Sequence, residues 1–405
     1  MKVLVLNCGS SSIKYQFFDT VEKKALAKGL VDRIGMTGAV LTHKRFNDDE
    51  IKIVGEILDH TVAIEYVLGV MLSKNHGVID KKEEIEAVGH RVVHGGESFS
   101  GSVLISEEVI NVLQENIELA PLHNPPNIKG IMAVKRILPD TPQVGVFDTA
   151  FHVKMPPKAF LYGIPYELYK KYKIRRYGFH GTSHLFVSQT AAEIIGKPIE
   201  DLKIVTAHLG NGCSMAAVKS GQSIDTTMGF TPLEGLIMGT RSGDLDPSLI
   251  LYIMSKEGLS LNEAGTLLNK HSGLIGISGE SSDMREILAA VKDNQRRAIY
   301  AFEIFTYKIK KYIGAYAAAM GGLDAVVFTG GIGENSVEVR AEVCKEMEFL
   351  GIELDEAKNE AKMEIFSKDN SKVKLLRIPT NEELVIAMDT SKIVSEMQKE
   401  FVPAN

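Results

Sequence analysis

Two segments of the chain share one pattern of apolar and polar positions. β-rich residues run from Val3 to Asn7, a turn of one glycine and three serines follows, and Ile13 to Phe18 has the composition of a return strand. The same order of strand, glycine turn and strand recurs at 203–218. Two copies so far apart are typical of a duplicated domain, because a solenoid needs a short repeat used several times. Two unrelated hairpins are the alternative.

Between the two hairpins the pattern is mixed α and β. Helical spacing predicts a helix over 59–75, with Asp59 as its N-cap and Gly77 as its stop. A second helix is predicted over 126–138. The mixture favours an α/β fold over an all-α or all-β one.

Two further segments indicate where the domains begin and end. A short apolar run at 143–147 predicts a buried strand ending at Asp148, where the first domain closes. The last helix is predicted to begin at Thr380, with Glu383 three residues on as in a capping box, and to cross back to the first domain. The predicted domains are therefore 1–149 plus 385–405, and 150–384.

The second domain ends in a recognisable sequence of elements. Residues 293–319 form an amphipathic pattern long enough for a helix of several turns. An apolar strand at 325–328 leads into the glycine-rich segment 329–335, and a helix is predicted from Ser336. No low-complexity linker interrupts the chain, so we expect short hinges between the domains.

The composition excludes some classes of function. The chain has 405 residues, of which 44% are hydrophobic and 24% charged, as in a packed protein of two large domains. Its formal net charge of −6 argues against nucleic acid as a partner. Any phosphate must then be held locally, by a few cations and backbone amides.

The sequence also indicates the cellular compartment and the redox state of the cysteines. The N-terminal apolar run is too short for a signal peptide or a membrane span, which predicts a cytoplasmic protein without a membrane partner. The cysteines at 8, 213 and 344 are odd in number and have no CxxC spacing. We therefore expect buried thiols and neither a disulfide framework nor a zinc site.

The first glycine turn has the chemistry of a phosphate site. Residues 7–14 offer backbone amides, three hydroxyls and the Lys14 ammonium, which suit phosphate oxygens. The segment is not a Walker loop, because the GxxxxGK[ST] spacing is absent and a strand follows. An ordinary serine-rich turn is the alternative.

Two such hairpins followed by the glycine loop at 329–335 resemble the arrangement of actin-like ATPases and sugar kinases. Longer motifs make the resemblance more specific and extend it along the whole chain. The chain is similar to the acetate kinase family. The segments that carry this similarity are Asn7–Lys14, His90–Gly96, Phe147–His152, Tyr177–His184, Met238–Asp244 and Pro379–Glu383.

The resemblance implies a fold, an activity and partners. The fold would be two duplicated actin-like (ribonuclease H-like) ATPase domains with an active-site cleft between them. The activity would be reversible phosphoryl transfer from ATP to acetate by direct in-line attack, with Mg²⁺ or Mn²⁺, in a homodimer. Propionate or butyrate kinase would share the motifs, and an actin-like chaperone or filament protein is the alternative from another class.

Phosphoryl transfer mainly requires positioning and positive charge, because charge spreads over the equatorial oxygens of a loose transition state. Arg91 and Arg241 lie in glycine-flanked segments and could hold the carboxylate and the γ-phosphate, although surface salt bridges are the alternative. By similarity His180 would hydrogen-bond the phosphoryl oxygens. Most core histidines are simply satisfied structural groups, so only the resemblance distinguishes His180 from its neighbours.

Asp148 resembles the family's catalytic aspartate, sometimes called a proton acceptor. A carboxylic acid substrate, like a glutamate with a pKa of roughly 4.3, is already ionised at neutral pH. We therefore favour Asp148 as an organiser of Mg²⁺, which keeps waters and takes one or two carboxylates. Similarity places Asn7 and a glutamate, Glu383 rather than Glu382, at the metal, with the capping box as the competing role of Glu383.

The resemblance also assigns the substrates. Four apolar residues would line a pocket for the substrate methyl group, with core packing as the alternative: Val93, Leu122, Phe179 and Pro232. Nucleotide contacts would come from both hairpins and from two later segments: Ser10, Ser12, Lys14, His208, Leu209, Gly210, Asn211, Gly212, Asp283, Met284, Arg285, Gly331, Ile332, Gly333, Glu334 and Asn335. The last five precede a helix, so an ordinary N-cap is the alternative there.

Overall fold

The chain forms two compact units in a computed structural model that describes residues 1–46 and 49–400. The first unit contains residues 1–153 and the segment from Asn381, and the second contains residues 154–380. The sequence analysis placed the divisions after residues 149 and 384. No helix within the described ranges is both long enough and apolar enough to cross a membrane.

Strands build one sheet in each unit. In chain order they are β1 (Lys2–Cys8), β2 (Ser12–Asp19), β3 (Lys24–Asp32), β4 (Ala39–Arg45), β5 (Glu50–Gly55), β6 (Ala87–Val92), β7 (Val103–Leu104), β8 (Gln143–Phe147), β9 (Lys203–Leu209), β10 (Cys213–Lys219), β11 (Gln222–Thr226), β12 (Ala325–Thr329) and β13 (Lys374–Arg377).

Helices cover these sheets. In chain order they are α1 (His60–Met71), α2 (Glu107–Glu115), α3 (Asn124–Ile137), α4 (Pro157–Phe160), α5 (Tyr166–Tyr172), α6 (Gly181–Ile195), α7 (Pro247–Glu257), α8 (Leu261–Lys270), α9 (Gly273–Ser278), α10 (Met284–Lys292), α11 (Arg296–Met320), α12 (Gly330–Asn335), α13 (Val337–Cys344), α14 (Glu356–Glu360) and α15 (Glu382–Glu400).

The two sheets repeat one topology. The first has the order β5-β4-β3-β2-β1-β6-β8-β7 and the second β11-β10-β9-β12-β13. Both contain an antiparallel meander of three strands (β3-β2-β1 and β11-β10-β9) followed by two parallel strands (β6-β8 and β12-β13), and the first sheet is extended by β4, β5 and β7, which pair antiparallel. The predicted duplicated α/β fold of actin-like type is confirmed.

Both glycine hairpins form as predicted. In the first, Asn7 lies opposite Lys14 and the turn is closed by a hydrogen bond of 2.8 Å from Gly9 N to the Ser12 carbonyl. In the second, Leu209 lies opposite Cys213 and Gly210 N donates to the Gly212 carbonyl at 3.1 Å. Equivalent turns therefore end the first hairpin of each sheet.

The C-terminal helix returns to the first sheet, as expected from its amphipathic pattern. Residues of α15 such as Ile386, Ala387 and Val394 join a buried cluster with Val3 and Val5 of β1. The helix approaches β6 so closely that a Cβ on Gly89 would lie 2.5 Å from Thr390 Oγ1. The opposite face of this sheet packs against α1 and α3. The first sheet is thus covered on both faces.

Two predicted helices differ at their ends. Asp59 caps α1 through its bond with Val62 N at 2.9 Å, but α1 ends at Met71 rather than near 75, because Val78 N already donates to the Met71 carbonyl. The predicted helix 293–319 begins only at Arg296. The reason is Asn294, whose φ of +56° separates α10 from α11.

Candidate active site

The first group of predicted residues lies at the carboxyl ends of parallel strands, the usual position of functional groups in such sheets. Asn7 lies near the end of β1, Arg91 lies on β6 and Asp148 directly follows β8. The backbone holds these ends in register, because Asp148 N donates to the Val92 carbonyl at 2.9 Å.

Arg91 is the cation at this edge. Its Nη2 lies 3.2 Å from Asp148 Oδ2 and its Nε 3.7 Å from Glu382 Oε2. The Asp148 side chain is only 3% exposed, so it is a buried partner and not a surface salt bridge. The negative charge of Asp148, reinforced by the two glutamates, raises the pKa of Arg91 despite burial. Arg91 is therefore a fixed, oriented cation.

The start of α15 corrects one prediction. Asn381 Oδ1 accepts from Leu384 N at 3.2 Å, so Asn381 caps the helix, and Thr380 Oγ1 instead bonds to Ser183 Oγ at 2.9 Å. The capping box of Thr380 and Glu383 is wrong, because the helix begins two residues later than predicted. The Glu383 side chain has no capping role and lines a cavity of about 280 Å³ together with Asn7, Lys14 and Arg91.

Glu382 was only the second choice for the metal in the sequence analysis. Burial raises its pKa to about 7, while Arg91 opposes the rise and the carboxylates of Asp148 and Glu383 add to it. Glu382 lines the same cavity. Its contact with Arg91 is a feature that sequence spacing could not reveal, since β6 and α15 are far apart in the chain.

The residues present suit a magnesium ion. Within 1–46 and 49–400 no group of three or more acidic, histidine or cysteine side chains gathers around one point. Mg²⁺ does not need such a group, because it keeps several waters and takes one or two carboxylates. An amide oxygen from Asn7 and a carboxylate from Glu383 in one cavity are hard oxygen donors of that kind.

The remaining first-unit residues lie on β2 or in the segments that join strands and helices. Ser10 is exposed in the hairpin turn, while Ser12 opens β2 and Lys14 is exposed two residues along it. Val93 follows β6 and is half-buried, and Leu122 is 77% exposed, so core packing does not account for Leu122. The sequence analysis missed Asn127. Its side chain accepts from Val93 N at 3.1 Å and donates to the Cys8 carbonyl at 2.9 Å.

In the second unit, three histidines cluster beside the second hairpin. His180 takes the left-handed conformation, with φ of +55°, directly before α6. Its ring stacks on His208 with centroids 4.2 Å apart, and its Nδ1 lies 2.8 Å from Ser214 Oγ. The same hydroxyl lies 2.7 Å from His184 Nε2.

Serines orient these rings. Ser183 Oγ lies 2.8 Å from His208 Nδ1, so each of the two stacked rings has a serine hydroxyl at its Nδ1. Sequence reasoning missed Ser183 and Ser214. Their positions in the sequence could have indicated both serines, because Ser183 lies in the motif that carries His180, and Ser214 follows the second glycine turn. Phe179, buried at 4% exposure, precedes the left-handed turn.

Arg241 and His180 converge on the second hairpin. A Cβ built on Gly212 would lie 3.6 Å from both Arg241 Nη1 and His180 Cε1. The polar contacts of Arg241 are the Pro232 carbonyl at 3.3 Å and Met238 Sδ at 3.7 Å. No carboxylate among the described residues forms an ion pair with it, and burial lowers its pKa. Arg241 is thus a cation with capacity for an anion.

A larger cavity of about 870 Å³ adjoins the same hairpin. The predicted nucleotide residues that line it are Gly210, Asn211, Asp283, Met284, Arg285, Gly331, Ile332 and Asn335. Asp283 caps α10 and pairs with Arg285 at 2.6 Å. The sequence analysis missed Ser282, Leu288, Ala289, Lys292, Ser336, Glu338 and Lys362, which complete the lining. The volume is that of a site for a drug-sized or cofactor-sized ligand.

Five predicted nucleotide residues of the second unit do not line this cavity: His208, Leu209, Gly212, Gly333 and Glu334. Leu209 is fully buried beneath the hairpin, and Gly333 is also buried. The Glu334 carboxylate accepts from Gly330 N at 3.0 Å and Thr380 N at 3.2 Å, so it holds the backbone instead. The segment expected as a loop is the short helix α12, which starts at Gly330 with φ of +76°.

Comparison with known proteins places these observations in a family. The model of the acetokinase family matches residues 2–388. The chain belongs to the acetokinase family. The acetate kinase of Thermoanaerobacterium thermosaccharolyticum is 57% identical over 98% of this chain and 100% of its own length.

Solved structures of the family agree. The acetate kinase of Porphyromonas gingivalis has a TM-score of 0.95 at 49% identity, covering 97% of this chain and 99% of its own. A propionate kinase from Francisella tularensis has a TM-score of 0.90 at 43% identity, with the same coverage. Membership of the acetokinase family favours a phosphotransferase over a chaperone or filament protein.

Proposed function

We propose that this chain transfers the γ-phosphoryl group of ATP to acetate, reversibly, giving acetyl phosphate and ADP. The observation that carries the proposal is the convergence of His180 and Arg241 on Gly212 of the second glycine hairpin. Two hydrogen-bond donors beside a phosphate-type turn suit the equatorial oxygens of a phosphoryl group in transfer.

The reaction is a single displacement. One oxygen of the acetate carboxylate forms a bond to the γ-phosphorus, and the bond from that phosphorus to the β–γ bridging oxygen breaks. The bonding electron pair remains on the bridging oxygen, which becomes a terminal oxygen of ADP. No proton is removed from acetate, because a carboxylic acid with a pKa of roughly 4 to 5 is ionised at neutral pH.

The charged side chains take roles that match the charges of the two substrates. Arg91 binds the acetate carboxylate with its planar guanidinium, which Asp148 and Glu382 hold in one orientation. His180 and Arg241 donate to the phosphoryl oxygens as charge spreads over them. Phosphate oxygens of ATP contact Lys14, the serines of the first turn and residues 208–212, and the 870 Å³ cavity takes the adenosine.

The substrate methyl group contacts the four apolar residues named in the sequence analysis. These are Val93, Leu122, Phe179 and Pro232. Pro232 is held in contact with Arg241 through its carbonyl.

Mg²⁺ is the metal that these residues suit. Asn7 and Glu383 would hold it, with Asp148 as an organiser of the bound water. When bound, the ion neutralises phosphate charge. Asp148 itself keeps Arg91 in place, and this function requires no proton transfer.

A second copy of the chain is the proposed partner. Helix α7 has no buried residue although its sequence is rich in apolar side chains, and Leu251 and Tyr252 are 69% and 61% exposed. Leu261 of α8 and Tyr307 of α11 are 82% and 60% exposed. Large apolar residues that stay exposed next to each other on one helix, such as Leu251 and Tyr252, are typical of protein interfaces. Sedimentation should give a dimer, and Leu251→Glu should convert it to a monomer, whereas a wild-type monomer would contradict the proposal.

Acyl phosphate formation tests the main proposal. The purified chain is incubated with ATP, Mg²⁺ and acetate, propionate or butyrate, and the product is trapped as the hydroxamate. We expect acetate to give the highest kcat/KM. A higher value for propionate would favour the second candidate, a propionate kinase, to which the Francisella structure gives a specific likeness. ATP hydrolysis without any hydroxamate would contradict both.

A further inference from the structure

Residues 227–246, which join β11 to α7, are all described and none lies in a helix or strand. This loop carries Pro232 and Arg241. Irregular segments of more than about 12–15 residues are uncommon inside a compact domain and are usually functional. Their buried backbone groups need hydrogen-bond partners from elsewhere.

Arg176 supplies partners at the start of the loop. Its Nη1 donates to three successive carbonyls, those of Thr226 at 2.9 Å, Thr227 at 3.0 Å and Met228 at 3.3 Å. Its Nη2 donates to Glu234 Oε1. One rigid guanidinium therefore fixes both the entry of the loop and a residue eight positions from Thr226.

Tyr162 completes the arrangement. Its hydroxyl donates to the second oxygen of Glu234 and accepts from Phe230 N at 2.8 Å. The packing is tight, because a Cβ on Gly229 would lie 1.8 Å from Glu234 Oε2 and 2.3 Å from the Tyr162 oxygen. Each oxygen of Glu234 thus has its own donor.

This network joins the two segments that carry the proposed phosphoryl contacts. Glu234 lies two residues after Pro232, whose carbonyl accepts from Arg241. Arg176 lies four residues before His180, and the next two backbone amides, of Tyr177 and Gly178, donate to the Gly229 carbonyl at 3.1 and 3.2 Å. A shift in the network would therefore move His180 relative to Arg241.

Arg176 and Tyr162 keep the protonation states that their hydrogen bonds to Glu234 require. Burial alone would lower the pKa of Arg176, but the Glu234 carboxylate together with Tyr162, Tyr316 and Asp225 outweighs it, and the net change is upward. Burial also raises the pKa of Tyr162, so its hydroxyl remains a donor. The Glu234 side chain is 31% exposed and that of Arg176 17%.

We infer that Arg176, Glu234 and Tyr162 form a positioning clamp that sets Pro232 for the acyl acceptor and Arg241 for the phosphoryl group in transfer. The inference rests on the proposed function, since it concerns the same transfer. None of the three residues lines the 870 Å³ cavity. The clamp therefore tunes acceptor affinity and turnover and leaves the affinity for ATP unchanged.

Glu234→Gln tests the clamp with almost no change of shape, because an amide cannot accept from both Arg176 and Tyr162 through two oxygens. We expect the KM for acetate to rise at least about five-fold and kcat to fall, with the KM for ATP within about two-fold of wild type. The matched control is Glu353→Gln, whose carboxylate is 32% exposed and pairs with Lys368 at 3.5 Å. It should leave all three constants unchanged.

Tyr162→Phe is the second variant, and it decides the matter if Glu234→Gln does not fold. It should shift the acetate KM in the same direction by a smaller factor. A folded variant with an unchanged acetate KM, or with both KM values raised equally, would overturn the inference. If the wild-type chain forms no acetyl phosphate, the proposed function fails. If the wild type is active and the variants match it, only the clamp fails.

Discussion

Each unit carries one of the two predicted arginines, and the two arginines have opposite surroundings. Arg91 of the first unit is paired with Asp148 and lies near Glu382, and these carboxylates raise its pKa. Among the described residues, the polar contacts of Arg241 in the second unit are the Pro232 carbonyl and the Met238 sulphur, and burial lowers its pKa. Both lie in glycine-flanked motifs that the sequence did not distinguish.

The difference separates the tasks of the two arginines. A guanidinium already neutralised by carboxylates is held rigidly and can bind a small, singly charged anion without strong attraction. A guanidinium without a counter-ion has the largest capacity to stabilise charge that develops during a reaction. Arg91 is therefore suited to the ground-state carboxylate and Arg241 to the phosphoryl group in transfer.

Removal of Arg241 should have the largest effect. Arg241→Ala should lower kcat by about 10²–10³-fold, with little change in the KM for ATP, because a contact made mainly in the transition state is lost. Steady-state kinetics with both substrates varied measures this. The control is Arg285→Ala, whose side chain is 89% exposed and should affect at most the KM for ATP. A kcat near wild type in Arg241→Ala would exclude the catalytic role.

Asp148→Asn should come next in size. We expect kcat to fall by about 10²-fold, and excess Mg²⁺ to restore part of the loss, because the role proposed for Asp148 is to organise the metal water while it holds Arg91. A proton-acceptor role predicts no such rescue. Metal titrations of variant and wild type at several pH values distinguish the two.

The control for Asp148→Asn is Asp59→Asn, in the same unit. Asp59 caps α1, and asparagine is an equally good cap, so activity and its metal dependence should stay at wild-type values. An identical metal response in Asp148→Asn and wild type would remove Asp148 from the metal site.

Glu383 and Glu382 are adjacent and serve as controls for each other. Glu383→Gln should raise the Mg²⁺ concentration for half-maximal activity by about ten-fold, since one of few carboxylate donors is lost. Glu382→Gln should instead raise the KM for acetate, because Glu382 lies 3.7 Å from Arg91 Nε. Metal activation curves at saturating acetate measure the first effect. The reverse assignment would follow if only Glu382→Gln changed the metal dependence.

Much of the fold could be predicted from local signals. Both hairpins, the Asp59 cap and the return of the last helix depend on apolar pattern and turn chemistry within short windows. Helix ends were less predictable. Whether Thr380 or Asn381 caps α15 depends on a bond between Thr380 and Ser183, which no local pattern contains.

The site was predictable where motifs carry it and not elsewhere. Phosphate-type turns and glycine-flanked arginines are visible as residues, so Gly212 and Arg241 could be proposed from the sequence, whereas His180 came only from the family resemblance. The partners that orient them come from distant parts of the chain, as Ser214 does for His180 and Glu234 does for the Arg241 loop. Hydroxyl and carboxylate side chains of this kind are common, and only the fold shows which of them are used.

The smallest expected effect concerns the acceptor pocket beside Arg91. Val93 is half-buried, and its backbone amide is fixed by Asn127 at 3.1 Å, so trimming its side chain should not move the strand end. Val93→Ala removes two methyl groups and leaves room for one more substrate carbon. One methylene is worth about 1–3 kcal/mol of discrimination in an apolar pocket, so the propionate-to-acetate ratio of kcat/KM should rise at least several-fold.

Neighbouring Val92 provides the matched control, because it is the last residue of β6 and lies in the core, whereas Val93 follows the strand and is half-buried. Val92 is fully buried in a cluster with Ile131 and Phe147, so Val92→Ala should lower the stability without changing the substrate ratio. The measurement is kcat/KM for acetate, propionate and butyrate in both variants, with thermal unfolding in parallel. Since ATP contacts other residues, its KM should stay constant. An unchanged ratio in folded Val93→Ala, or an equal change in Val92→Ala, would make Val93 a packing residue and leave acceptor size to the loop that carries Pro232.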